Sequence, residues 1–270
     1  MKYKFDHDYH IHSQLSLCSG DPEQNNERIL QYARDNGLER ICLTDHFWDA
    51  KIPGAPGWYR QQGFDHISLA KPLPRDDKVE FLFGCETEYD RNCTVATAKE
   101  TFDEFDFIII PTTHLHMVGL TITADDATAP DTNQRRARLW VSRMDALLAQ
   151  DLPFCKIGIA HLACGLFNNK SREDYLNTLD LIPSEEMERV FAKVAETGVG
   201  LELNASDMNF RDGEAERVLR MFRIAKSCGC KFYCGSDAHT PKGFVAIKTI
   251  FERAIDMLDL QESDKFHIVR

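Results

Sequence analysis

Short apolar runs recur along the chain at 5–10, 40–44, 79–86, 106–111, 155–160, 199–204 and 231–236, each the length of a strand. Between them lie stretches whose apolar residues recur at helical spacing: 27–36, 133–150, 185–197, 214–227 and 244–258. The helical stretches carry start and stop signals: Pro183-Ser184 and Gly198 bracket 185–197, Gly37 ends 27–36, and Gly229 follows 214–227. Seven strands alternating with helices predict parallel βαβ units. Three connections are long, at 47–78, 115–132 and 162–184. Loops of that size in a compact domain usually shape a binding site. The first holds Pro53, Gly54, Pro56, Gly57, Trp58 and Tyr59 and is expected to form a lid or pocket wall.

Composition narrows the setting. The chain has 270 residues, 43% of them hydrophobic, enough for one large α/β domain. Its net charge of −11 and lack of a basic run argue against long nucleic acid as a partner. The first ten residues contain no apolar signal-peptide core, and no window approaches the ~20 apolar residues of a membrane span. Nine cysteines are scattered through apolar runs and turns, which suits reduced thiols and a cytoplasmic protein. Cys228-Gly229-Cys230 has no second cysteine pair to complete a metal site, so it reads as thiols beside a helix–strand turn.

The chemistry gathers where the apolar runs end. The first run ends in His10-Ile11-His12, and alternation along a strand would project both imidazoles together. The later runs end in Thr44-Asp45-His46, Gly84-Cys85-Glu86-Thr87-Glu88, Thr112-Thr113-His114, Ala160-His161, Glu202-Leu203-Asn204 and Ser236-Asp237-Ala238-His239. Six of the ten histidines fall at such ends. A single buried histidine is usually a hydrogen-bonded core residue; a metal-competent or strongly polar side chain at the same end of every run is not explained that way. In a β/α barrel those ends converge on one face. Imidazole mixed with carboxylate suits Zn, Mn or Fe rather than Ca or Mg. The candidates exceed what one tetrahedral ion takes, which points to two or three ions sharing a bridging carboxylate. Clustered ions of this kind serve phosphoester chemistry and would draw a phosphate to an acidic protein.

The ensemble H-x-H, T-D-H, G-x-E, T-x-H, A-H and S-D-A-H resembles the PHP (polymerase and histidinol phosphatase) superfamily, from "DYHIHS" to "GSDAH". The resemblance implies a distorted seven-stranded (β/α) barrel of TIM-like type, one domain over 1–270, with up to three metal ions at the C-terminal face of the strands. It implies a first ion on His10, His12, Glu86 and Asp237, with Glu86 bridging to a second on His114 and His161. A third would lie between His46, His239 and a position that is usually His or Asp in the family and is Cys18 here. Either Cys18 ligates as a thiolate and three ions bind, or it only packs and two do.

Asp45 and Glu88 are placed either to orient a ligand imidazole or to transfer a proton, and a structural hydrogen bond suits each equally well. Asn204 stands at a strand end, where it would bind substrate or make a structural hydrogen bond. His116 rivals His114, which lies nearer its strand. His7, His66 and His267 read as solvated. Arg60, Arg211 and Lys242 fall in loops and are left outside the site. The length and layout look like the histidinol-phosphatase branch, which implies a small phosphate ester such as histidinol phosphate, attacked by a metal-bound hydroxide, with Glu86 and Asp45 the residues expected to act in catalysis. The competing readings are a phosphodiesterase or nuclease acting on nucleotides, and a non-catalytic metal-binding domain. An amidohydrolase fits poorly, because it would normally place a Lys at a central strand end.

Overall fold

A computed structural model of the chain describes residues 1–211 and 213–269. Its strands are His7–Ile11 (β1), Arg40–Leu43 (β2), His46–Phe47 (β3), Glu80–Thr87 (β4), Phe107–Pro111 (β5), Ile157–Ala160 (β6), Gly200–Asn204 (β7) and Lys231–Gly235 (β8). All pair in parallel, in the order β1-β2-β4-β5-β6-β7-β8. β3 pairs with β4 in the same register as β2, so the two are one broken strand and the barrel has seven positions. This is the distorted (β/α) barrel expected.

The connections carry helices α1 (Asn26–Asn36), α2 (Gly57–Arg60), α3 (Phe64–Ile67), α4 (Ala124–Thr128), α5 (Thr132–Leu148), α6 (Arg172–Asp180), α7 (Ser184–Thr197), α8 (Ala205–Met208), α9 (Ala215–Ser227) and α10 (Ile247–Leu258). The caps follow from local chemistry. Asn25 accepts from the Arg28 N–H at 3.0 Å, and Gly37 turns left-handed at φ 68° to end α1. α6 lies within a connection that the sequence marks only as long; the Ser171 side chain caps it by accepting from the Asp174 N–H. The last helix starts at Ile247, three residues later than the apolar spacing suggests, because Pro241–Phe244 forms a tighter turn first.

Side-chain parity places the site. Along β4, Leu82, Gly84 and Glu86 alternate onto the inner face, with Glu88 one residue past its end, while Phe83 and Cys85 pack outward under the helices. Tyr9, Cys42, Leu82, Phe107, Ile109, Ala160, Tyr233 and Phe266 fill the barrel floor. On β1 simple alternation would place Ile11 inside with Tyr9 and turn His10 out. Instead the register slips between Asp8 and Ile11, one extra residue opposing β2. This bulge reverses the parity. Tyr9 stays in the floor, Ile11 joins the outer core, and His10 and His12 face inward above it.

The seam between β1 and β8 is stitched largely by side chains. Only one parallel bridge, Ile11 to Ala238, joins the two edges among the described residues. Asp8, fully buried, accepts from the Ser236 N–H at 2.9 Å, the His10 N–H at 3.2 Å and the Tyr32 hydroxyl at 2.9 Å. His7 is buried in the same seam and not solvated as its polar neighbours suggested. Its Nδ1 faces Asp6 at 2.8 Å and its Nε2 accepts from the Cys234 N–H at 3.1 Å. Burial lowers its pKa and keeps the ring neutral, as an accepting Nε2 requires. Beneath the floor Lys265 pairs with Asp6 at 2.7 Å.

Two predictions follow from the seam. Asp8→Ala strands three buried donors at about 1 kcal/mol each. It should lower unfolding free energy by roughly 3 kcal/mol in urea titration, with Asp8→Asn costing less than half of that. For Asp6, burial pushes the carboxyl up, but hydrogen bonds from His7 and Lys265 outweigh it and hold the pKa at about 2, below the usual 3.8. A depressed acid stabilises above its unfolded pKa and loses that stabilisation as pH falls toward its folded one. Asp6→Asn should therefore remove roughly 2 kcal/mol at pH 7 and flatten the acid limb of stability between pH 4 and pH 2.

Candidate metal centre

Glu86, at the inner face of β4 and 1% exposed, stands at the middle of the cluster. Its Oε2 lies 3.0 Å from His46 Nδ1, 3.3 Å from His12 Nε2 and 3.5 Å from His10 Nε2. Its Oε1 lies 3.0 Å from His161 Nε2 and 3.8 Å from His114 Nε2. Asp237, just past β8, puts Oδ1 at 3.2 Å from His12 Nε2 and 3.4 Å from His10 Nε2. Both His161 and Asp237 adopt left-handed backbone, at φ 58° and φ 54°. This conformation is rare for non-glycine residues and concentrates at functional sites.

The outer nitrogens of these rings are already committed. His10 Nδ1 meets Glu202 Oε1 at 2.6 Å. His12 Nδ1 meets the Ser16 hydroxyl at 3.0 Å, and Ser16 donates in turn to Asp45 at 2.7 Å. His114 Nδ1 faces Glu88, which also accepts from the Tyr59 hydroxyl at 2.7 Å. With Nδ1–H donating outward, each Nε2 presents a lone pair inward. His10 Nε2 and His12 Nε2 then face each other at 3.1 Å, with two carboxylates beside them. Acceptors so close need a cation among them. The separations of 3.1–3.5 Å match the roughly 3.4 Å ligand–ligand edges expected of tetrahedral bonds near 2.1 Å.

Electrostatics gives the same answer. Burial opposes charge on His10, yet Glu202, Asp237 and Glu86 hold its pKa well above the usual value. Burial would raise Glu86, but His46 and His10 hold it well below the carboxylate range. Burial together with neighbouring imidazoles lowers His46 against the pull of Glu86, and burial beside His12 brings His239 to about 4. His46 Nδ1 meets Glu86 Oε2 outside hydrogen-bond geometry and has no other partner among the described residues. The residues present therefore fit divalent ions.

Three sets have ligand atoms all within 4.8 Å of one another: His10, His12 and Asp237; His10, Glu86 and His161; and His12, His46 and His239. Cys18 lines the cavity above but joins none of these sets. Burial and the charges of Glu86 and Asp237 push its thiol pKa up to about 12. His116 also lines the cavity, and burial beside His114 holds it neutral with a pKa of about 4. Asp45 does not reach the cavity: its carboxylate is buried and accepts from the Ser13 N–H, the Ser13 hydroxyl and the Ser16 hydroxyl, each at 2.7 Å. Asn204 is likewise engaged, its amide nitrogen 3.2 Å from Glu202.

Glu202 is the residue whose role the sequence did not assign. Besides His10, it accepts from the His161 N–H at 2.9 Å. A carboxylate at the inward parity of an otherwise apolar strand is the signal that finds it. Gly235 makes its approach possible, because a Cβ there would land on Glu202 Oε1 and 2.6 Å from His10 Cβ. Buried guanidiniums fix the loops carrying His114 and His161: Arg136 donates to the Leu115 and Phe167 carbonyls at 2.7 and 2.6 Å.

A family model described as PHP domain matches residues 8–206. Histidinol phosphate phosphatase (HisK) from Lactococcus lactis subsp. lactis Il1403, solved with Zn, L-histidinol and phosphate, shares the fold. It has a TM-score of 0.58 and 17% identity, covering 97% of this chain and 98% of that one. Plasmodium falciparum HPPK-DHPS with pteroate gives a TM-score of 0.42 at 12% identity, over 95% of this chain and 48% of that one. A dihydropteroate synthase from Coxiella burnetii with pteroic acid gives 0.38 at 11% identity, over 93% of each. No curated protein matches the sequence.

The second-sphere geometry predicts that Glu202→Gln turns an amide N–H₂ toward the His161 N–H or the His10 ring. Zn affinity measured against a chelating dye should fall about 10- to 100-fold, with circular dichroism unchanged.

Proposed function

This chain belongs to the PHP domain family, and from that membership and the geometry around Glu86 we propose that it is a metal-dependent phosphoesterase acting on a small phosphomonoester. The observation that carries the reading is one buried carboxylate within 3.8 Å of five imidazoles drawn from separate parts of the chain. His10, His12, Glu86 and Asp237 would hold a first ion, and Glu86, His114 and His161 a second. A third would rest on His46 and His239, with Cys18 completing it; Zn, Mn and Fe suit these donors.

When bound, such ions supply a water acidic enough to attack phosphorus and positive charge for the phosphoryl oxygens. In the reaction, a water gives up a proton as its oxygen bonds to phosphorus, the ester P–O bond breaks, and the departing alkoxide takes up a proton to leave as the alcohol, so the two proton transfers balance. The protein's own part is to keep the ligands aimed. Glu202 holds the His10 ring, Ser16 and Asp45 hold His12, and Glu88 holds His114. Asp45 is a positioning residue in this reading, not a proton donor.

A cavity of about 340 Å³ above Glu86 admits a small ester and gives no track for a polymer. With the charge of −11, this favours a monoester over nucleic acid. The resemblance to the histidinol-phosphatase branch puts histidinol phosphate first among the esters to assay. We read the chain as a cytoplasmic enzyme: all nine cysteines are free, and no helix among the described residues is long and apolar enough to cross a membrane.

Protein stripped by chelation and reloaded with Zn, Mn or Fe should hydrolyse nitrophenyl phosphate faster than its diester. His10→Ala and Asp237→Ala should each lose on the order of 10³-fold in kcat/KM. Full activity in the stripped protein or in either variant would sink the assignment, and fewer than two ions per reloaded chain would favour a non-catalytic domain.

A further inference from the structure

The cavity above the ligand cluster is walled by three of the long loops. Trp58 of α2 stands edge-on to His46, ring centroids 5.2 Å apart, and is 38% exposed. Met117, from the loop after β5, and Leu166, from the loop after β6, complete an apolar wall. Trp58 is not a loose surface side chain. Its neighbour Tyr59 is buried, donates to Glu88 at 2.7 Å, and packs against Trp58 and Trp48 at 4.7 and 5.5 Å. Glu88 lies one residue beyond the end of the strand that carries Glu86, so the wall is anchored beside the cluster.

The charge of the lining is as informative as its shape. Among the described residues that line the cavity there is no Lys and no Arg, and the only carboxylates are Glu86 and Asp237. Both of these already face imidazoles. An ammonium on the leaving group would lose hydration at the wall with no free carboxylate to replace it, and a carboxylate or second phosphate would find no lysine or arginine there. A flat apolar group would gain from burial against the indole.

We propose that the leaving group is an uncharged alcohol bearing an aromatic or bulky apolar group, seated against Trp58, Met117 and Leu166. The inference rests on the phosphomonoesterase reading and narrows its substrate class, away from cationic esters such as histidinol phosphate.

The test uses the full Zn-loaded chain with alkyl esters, so that reactivity of an aryl leaving group does not confuse the result. Expected is at least a roughly tenfold higher kcat/KM for 2-phenylethyl phosphate than for glycerol 1-phosphate, histidinol phosphate or 3-phosphoglycerate. Trp58→Ala should bring that ratio near one through KM, Met117→Ala should reduce it, and Trp58→Phe should keep most of it. Calorimetry with 3-phenylpropylphosphonate and 3-aminopropylphosphonate reads the wall without turnover and should favour the phenyl compound. Equal or better turnover of the charged esters, or a ratio unmoved by Trp58→Ala, overturns the apolar seat and leaves the phosphatase reading standing. Phenyl-phosphonate preference without hydrolysis of any ester upholds the seat and overturns the phosphatase reading. Neither preference nor turnover overturns both.

Discussion

A carboxylate withdrawn from water into a barrel must be compensated by positive charge, or else pick up a proton. Glu86 sits under that constraint, and the surrounding architecture answers it. Five imidazoles surround the carboxylate, and the three whose outer nitrogens meet Glu202, Ser16 and Glu88 are aimed by them. Protons on the rings could supply the charge. Yet rings with Nδ1–H donated outward meet lone pair to lone pair, as His10 and His12 do at 3.1 Å. That arrangement is satisfied by a cation with several coordination sites, which is why the donor set and its outer partners have to be read as one unit.

The same constraint accounts for the irregularities of the barrel. An ideal β1 would send Tyr9 inward and His10 outward, whereas the bulge lets the strand supply both floor and ligands. An ideal β1–β8 ladder would leave no place for Asp8 to bind the Ser236 and His10 N–H groups. Left-handed backbone at His161 and Asp237 costs roughly 1–2 kcal/mol per residue. At both positions the N–H is tied down, to Glu202 and to the His10 carbonyl. Distortion is thus concentrated where ligands must converge, and the regular part of the barrel carries the hydrophobic core.

This division explains what could be read in advance. Buried parallel strands are continuous apolar runs, so the seven positions and their order of appearance were visible, as were the five main helices. The polar residues at the strand ends were visible because they recur where one apolar run after another stops. What stayed hidden depends on partners far away in the chain. The bulge exists only relative to β2. Glu202 and Gly235 gain meaning only when β7 and β8 lie beside β1. His7 looked solvated beside Asp6 and Asp8 until the seam closed over it. α6 was missed because its start depends on one serine cap in an otherwise polar connection.

Charge also divides the labour between the two ends of a substrate. A protein of net charge −11 with no lysine or arginine among the described residues of its cavity offers a phosphate little attraction of its own. In the proposed phosphomonoesterase, affinity for the phosphoryl end would come from bound ions, and any phosphomonoester small enough to enter would share it. Neutral N–H donors on the rings are spent holding ligands, so they add little discrimination. In that reading selectivity is left to the part of the substrate that the ions do not touch, and there the chain presents carbon: an indole packed on Tyr59, whose hydroxyl is bonded to Glu88, a thioether and a leucine.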